Sequence, residues 1–166
     1  MAPNFERAFG ERPEILAAWF GLNSAIKERM DLRRYELVTL AAARRLGSSY
    51  CCLAHGSVLL DRFDEPVLEI ARDHRSANLS ELDVAVMDLA ERVVDDATAI
   101  EDADRQRLRD LGMSDGEVMD VVLAASARCF FSKALDALGV LPDASYRELS
   151  PERQGALVVG RPIAEA

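Results

Sequence analysis

A chain of 166 residues suffices for one domain, or one domain plus an arm, and at that size roughly 70% of the unfolded surface can leave water. Its 20 Lys and Arg stand against 29 Asp and Glu, and the net charge of −9 argues against a nucleic-acid or anionic-membrane surface, since phosphate binding rests on clustered cations. Met1 to Arg7 holds no basic region followed by an apolar run, no stretch is long and uncharged enough to span a bilayer, and an odd count of three cysteines fits reduced thiols, so the expectation is a soluble, cytoplasmic protein.

Helical periodicity dominates and strand-like alternation is nearly absent, which makes the expected fold all-α. A first helix is expected from about Pro13 to Met30, with Ile15, Leu16, Trp19, Phe20 and Leu22 in apolar contact. The second covers Leu32 to Leu46, Gly47 follows as its left-handed stop, and Ser48-Ser49 restarts the chain as a third helix reaching about Phe63. A short fourth runs from Glu65 to His74, with Asp64 as its expected cap. Ser80-Glu81-Leu82-Asp83 opens a helix from Glu81 to about Ala97, and Asp102 to Leu111 makes another, closed by Gly112. Ser114-Asp115-Gly116-Glu117 is a capping box for the last helix, which ends at Gly139 with a buried stripe of Val118, Val121, Val122, Ala125 and Cys129. Beyond Val140, prolines and glycines interrupt every window although Leu157-Val158-Val159 stays apolar; the expected division is a helical domain over 1–141 and an irregular arm over 142–166, against its own domain or a neighbouring subunit.

The densest chemistry lies in Ser48-Ser49-Tyr50-Cys51-Cys52-Leu53-Ala54-His55. If a serine caps this helix, Cys51 falls in the first turn, where the macrodipole and free N–H groups favour a thiolate. His55 is four residues on, on the same face, and an imidazole there can act as base or stabilise the thiolate. Glu36, one helix upstream, is the carboxylate that would complete the relay. The plain alternative is that Cys51 is a small packing residue, a role also given to Cys52 and Cys129. His74 is expected to be a solvated imidazole or a partner of a helix end, and Tyr50 either caps the pocket or packs. Adjacent cysteines on different helix faces fit a four-ligand zinc site badly, and no Gly-rich phosphate loop or dinucleotide signature appears, so no metal or other cofactor is expected.

These residues resemble the carboxymuconolactone decarboxylase and AhpD-like alkylhydroperoxidase family. Its redox-active members carry a glutamate on one helix, a short linker, then C-x-x-C-x-x-x-H at the start of the next. Here Glu36 stands twelve residues before Ser48, which occupies the first cysteine place, Cys51 takes the second and His55 the histidine. Arg34-Tyr35-Glu36-Leu37-Val38, Leu79-Ser80-Glu81 through Leu111-Gly112-Met113-Ser114, and Ala137-Leu138-Gly139-Val140 extend the likeness over about residues 10 to 145, toward the peroxidase-related branch.

The resemblance implies an AhpD-like helical bundle that assembles as an obligate homo-oligomer, a trimer or hexamer. It also implies a thiol-dependent peroxidase acting on organic hydroperoxides, with Cys51 as nucleophile, His55 as base and Glu36 orienting the imidazole. Its partners are then a small hydroperoxide and a thiol reductant. Ser48 departs from the pattern, since serine cannot resolve a sulfenic acid as a disulfide, and a bridge between neighbouring Cys51 and Cys52 needs a distorted ring and points about 100° apart on a helix. A one-cysteine cycle reduced by an outside thiol is therefore expected. The family's other activity, lactone decarboxylation, needs no thiol and would use a cationic anchor such as Arg44 or Arg45; a non-catalytic redox sensor or interaction module is the third reading.

Overall fold

The computed structural model describes residues 2–165; residues 1 and 166 of the expected domain and arm lie outside them. Nine α-helices run in the order α1 (Asn4–Ala8), α2 (Pro13–Lys27), α3 (Leu32–Arg45), α4 (Ser49–Phe63), α5 (Val67–Asp73), α6 (Glu81–Asp96), α7 (Asp102–Asp110), α8 (Asp115–Ala137) and α9 (Pro151–Leu157), with no strand among the described residues. The fold is all-α, and among the described residues no helix is long and apolar enough to cross a membrane.

The centre of the bundle is α3, which packs on α4, α6 and α8. Every residue from Tyr35 to Ala43 is buried, so three neighbours close over all its faces and leave no polar side. Three alanines in that stretch, Ala41, Ala42 and Ala43, keep its surface narrow where those neighbours converge. Asp31 caps it by accepting from Arg34 N at 3.0 Å. Arg33 ties α3 to its surroundings through Glu65 and, at 2.9 Å, Asp83 of α6.

The caps hold their expected places at α6 and α8. Ser80 Oγ accepts from Asp83 N, and at Ser114 both halves of the capping box form. The short fourth helix differs: it begins at Val67, because the residue before Pro66 is disfavoured in helical dihedrals, and Asp64 instead closes α4 in the left-handed region at φ 52. The first expected helix stops at Lys27, and Ile15, Phe20 and Leu22 point outward while Trp19 and Ile26 are buried. Periodicity also missed α1, a single turn held by aromatic packing: Phe5 meets Phe20, Tyr50 and Phe131 edge-on, and Phe9 stacks on Phe131.

The buried stripe of α8 is corrected in two places. Val122 and Cys129 are only half-buried, while Arg128 and Ser132 lie inside with Val118, Val121, Ala125 and Leu135. Two polar residues hold core positions because they have partners there, described below.

The segment after Pro142 folds back on its own chain. It contains a 3₁₀ turn over Ala144–Glu148 and α9, which packs on α4 and α5. Leu157 is fully buried directly above Gly56, whose missing Cβ leaves it room. Gly160 N donates to Ser49 Oγ at 2.8 Å, and Arg44 Nη1 donates to Ala156 O at 3.0 Å.

Candidate active site

The α3–α4 corner is built from its backbone. Gly47 takes φ 69, Gly47 N and Ser48 N donate to Arg44 O and Ala43 O, and the chain reverses within two residues. Ser48 occupies the cap position of α4 in extended conformation, but its hydroxyl caps nothing; that Oγ is buried without a hydrogen-bond partner among the described residues. Ser49 is the first helical residue and receives the arm's Gly160 N–H. Cys51 is thus the third residue of α4, in the first turn as expected, and is 2% exposed.

The tight corner brings Glu36 of α3 against His55 of α4, nineteen residues away, with Oε2 and Nδ1 2.5 Å apart. Lys27 Nζ donates to the other carboxylate oxygen at 3.2 Å. Burial alone would raise the Glu36 pKa, but the His55 hydrogen bond and the Lys27 charge outweigh it and hold Glu36 below the usual range. Burial, with the nearby Arg128 charge, pushes His55 down to about 4 against the pull of Glu36. The pair is therefore carboxylate and neutral imidazole: Nδ1–H donates to Glu36, and Nε2 carries the lone pair.

The sulfur takes its hydrogen bonds from elsewhere. Ser132 Oγ lies 3.2 Å from Cys51 Sγ, and Arg128 Nη1 donates to it at 3.6 Å. Arg128 Nη2 donates to Tyr35 OH at 3.2 Å, and that hydroxyl donates to Asn23 Oδ1 at 2.6 Å. The guanidinium also lies 5.5 Å from the Trp19 ring and 5.8 Å from Phe131. Among the described residues His55 makes no hydrogen bond to Sγ, although it stands one turn below it.

The accessory residues divide. The Tyr50 hydroxyl donates to Asp143, which also accepts from Asn4 N; burial, then Asp143, raises the phenol pKa. Cys52 is fully buried, and burial drives its thiol well upward. Cys129 lies half-buried with its thiol raised by burial. Arg45 pairs with Asp95 on the surface and Arg44 binds the arm, so neither suggested anchor reaches Cys51. His74 is not solvated: it is buried, bonded at 3.0 Å to Asp88. Its cluster with Asp88 and Glu91 is the one group of metal-type ligands that converges among the described residues, yet Arg75 reaches both carboxylates and Arg107 reaches Asp88, which makes it an ion-pair network.

Sequence reasoning missed Arg128, Ser132, Tyr35 and Lys27. A signal existed for Arg128: Val118, Val121, Ala125, Arg128, Ser132 and Leu135 follow a spacing of three and four, and a cation at a core register demands a partner.

No family model matches the sequence, and no curated protein matches it. Solved structures do. A protein of Ralstonia eutropha JMP134, described as an alkylhydroperoxidase AhpD core and uncharacterized peroxidase-related protein, is 20% identical with a TM-score of 0.81, over 88% of this chain and 80% of its own. An uncharacterized peroxidase-related protein of Silicibacter sp. TM1040 is 22% identical, with the same TM-score, over 89% and 80%. The chain has the AhpD-like helical fold.

Proposed function

We propose that the chain is a thiol-dependent peroxidase of the alkylhydroperoxidase type, with Cys51 as nucleophile and Glu36–His55 as its proton relay. The observation that carries this is the 2.5 Å Glu36–His55 contact, one helical turn from a cysteine in the first turn of α4. The descriptions of the solved neighbours point the same way. The Cys51 thiolate attacks the terminal oxygen of ROOH; the S–O bond forms as the O–O bond breaks, sulfur is oxidised to the sulfenic acid, and RO⁻ takes up a proton and leaves as ROH. With Ser48 in place of a second sulfur, an outside thiol condenses with the sulfenic acid, releasing water, and a further thiol frees Cys51 as the other disulfide forms. This cycle belongs in a reducing compartment such as the cytoplasm.

Self-association is part of the reading. Ile15, Phe20 and Leu22 of α2 and Met119, Leu123 and Phe130 of α8 are large apolar side chains exposed on two packed helices, and a second copy of the chain would cover them.

The test is consumption of cumene hydroperoxide by the reduced protein with dithiothreitol as reductant. Thiol-dependent turnover lost in Cys51→Ser supports the peroxidase. No turnover by the wild-type chain, together with Cys51→Ser activity on a carboxylated lactone, would favour the decarboxylase instead.

A further inference from the structure

We infer that Arg128 and Ser132, rather than His55, hold Cys51 as the thiolate, so that α8 and not the motif helix supplies the nucleophile's ionisation. This deepens the peroxidase reading and rests on it only for what the thiolate attacks.

Arg128 is 4% exposed, and a guanidinium withdrawn from water needs an anion close by. Among the described residues no carboxylate lies within ion-pair distance of it: Glu36 is taken by His55 and Lys27, and Asp143 by Tyr50 and Asn4. Apart from the uncharged Trp19 and Phe131 rings, Arg128 reaches Tyr35, whose hydroxyl in turn donates to Asn23, and Cys51 Sγ. The sulfur is then the group placed to carry the balancing charge. A thiolate accepting from Arg128 and from Ser132 has two donors, one of them charged, aimed at it by a helix locked in the core.

His55 is poorly placed for the same task. Its Nδ1 is committed to Glu36, and taking the thiol proton would create a second buried cation near Arg128. The relay is thereby left for the proton that the departing RO⁻ takes up rather than for that of the thiol. The other titratable groups around the sulfur do not compete: on its own helix Cys52 is driven toward the thiol by burial, from α3 come Tyr35 and Glu36, from α2 Lys27 acts through Glu36, and from the arm Tyr146, pushed up to about 12 mainly by burial, stays a neutral phenol.

The test reads the ultraviolet absorbance of the thiolate in the full, reduced chain, taken as the difference from Cys51→Ser, between about pH 5 and about pH 9. At about pH 6 the Cys51 signal is expected in the wild type and in His55→Gln, to fall about tenfold in Arg128→Met, and to return in Arg128→Lys. Circular dichroism checks that each variant folds. Should Arg128→Met fail to fold, Ser132→Ala carries the test, since removing a neutral donor must still lower the signal. A wild type with no thiolate at neutral pH, or a signal lost in His55→Gln and untouched in Ser132→Ala, would overturn the inference. Because no peroxide is used, a thiolate that ionises as expected yet never consumes hydroperoxide would sink the peroxidase reading alone.

Discussion

Ser132 Oγ lies 3.2 Å from Cys51 Sγ across the junction of α8 and α4, eighty-one residues apart in the chain. The proposed reactive centre is therefore divided between two halves of the sequence: α4 gives the sulfur and its position in a helix first turn, α3 gives Glu36, and α8 gives the donors.

In the proposed cycle, the serine at position 48 decides how oxidation ends. One equivalent of hydroperoxide is expected to leave the wild-type chain as a sulfenic acid, or as a mixed disulfide when a small thiol is present. In Ser48→Cys the new sulfur stands at the helix cap, three residues before Cys51, where a local adjustment closes a disulfide. Peptide mapping should find that bridge, with the loss of two hydrogens, in the variant only. An internal disulfide in the oxidised wild type would contradict the one-cysteine cycle.

Acid should weaken the fold through His55. Its proton affinity is held down to about 4 in the folded chain, against an ordinary value of 6.5 when unfolded, so between those limits the unfolded state binds more protons. The contribution is fully present above about pH 6.5 and is lost as pH falls toward 4, on the order of 3 kcal/mol over the window. Glu36, held low, acts with the same sign: its contribution is present above its unfolded value and lost as pH falls through its folded one. Urea unfolding at about pH 7 and about pH 5 should show the decline in the wild type and a flatter response in His55→Gln. Equal slopes in both would refute this account.

The arm meets the turn of the motif corner most closely at Gly160. A Cβ at Gly160 would stand 2.0 Å from the carbonyl oxygen of Gly47, a backbone atom that cannot swing aside. Gly160→Ala is therefore expected to lift the arm from the turn, breaking the Gly160–Ser49 hydrogen bond and destabilising the chain by about 1–3 kcal/mol. Limited proteolysis should cut the variant faster after Pro142. Unchanged proteolysis would mean that the arm and the corner are not coupled.

Much of the fold was legible in the sequence. The serine cap at Ser80, the capping box at Ser114 and the glycine stops at Gly47, Gly112 and Gly139 depend on neighbouring residues alone, so local chemistry was enough to mark them. The meeting of Glu36 with His55 and the place of Cys51 in the first turn of α4 were legible because motif spacing and one short corner set them. Arg128 and Ser132 were not, since counting apolar residues rewards Val122 and Cys129 at a register where the core instead selects two polar groups bonded to a sulfur on another helix. Likewise α1 has no helical period of its own, and only the aromatic cluster around Phe131 gives it a reason to form.

Assembly should follow the apolar face of α2 and α8. Phe130 is 51% exposed beside Trp19, with a 5.7 Å separation between ring centroids, and Met119 and Leu123 continue the face along α8. Light scattering is expected to find more than one copy, and Leu123→Glu with Phe130→Glu to lower the mass while peroxide reactivity at Cys51 persists. A monomeric wild type would remove this part of the proposal.

Cys51 is proposed as the peroxide-reactive sulfur of the chain. Its most direct test is the intact mass of the fully reduced protein after brief mixing with near-stoichiometric organic hydroperoxide and a sulfenic-acid trap, beside Cys51→Ser. One trapped adduct in the wild type, absent from the variant, is the predicted result; no adduct in the wild type, or an adduct that survives the substitution, would contradict it.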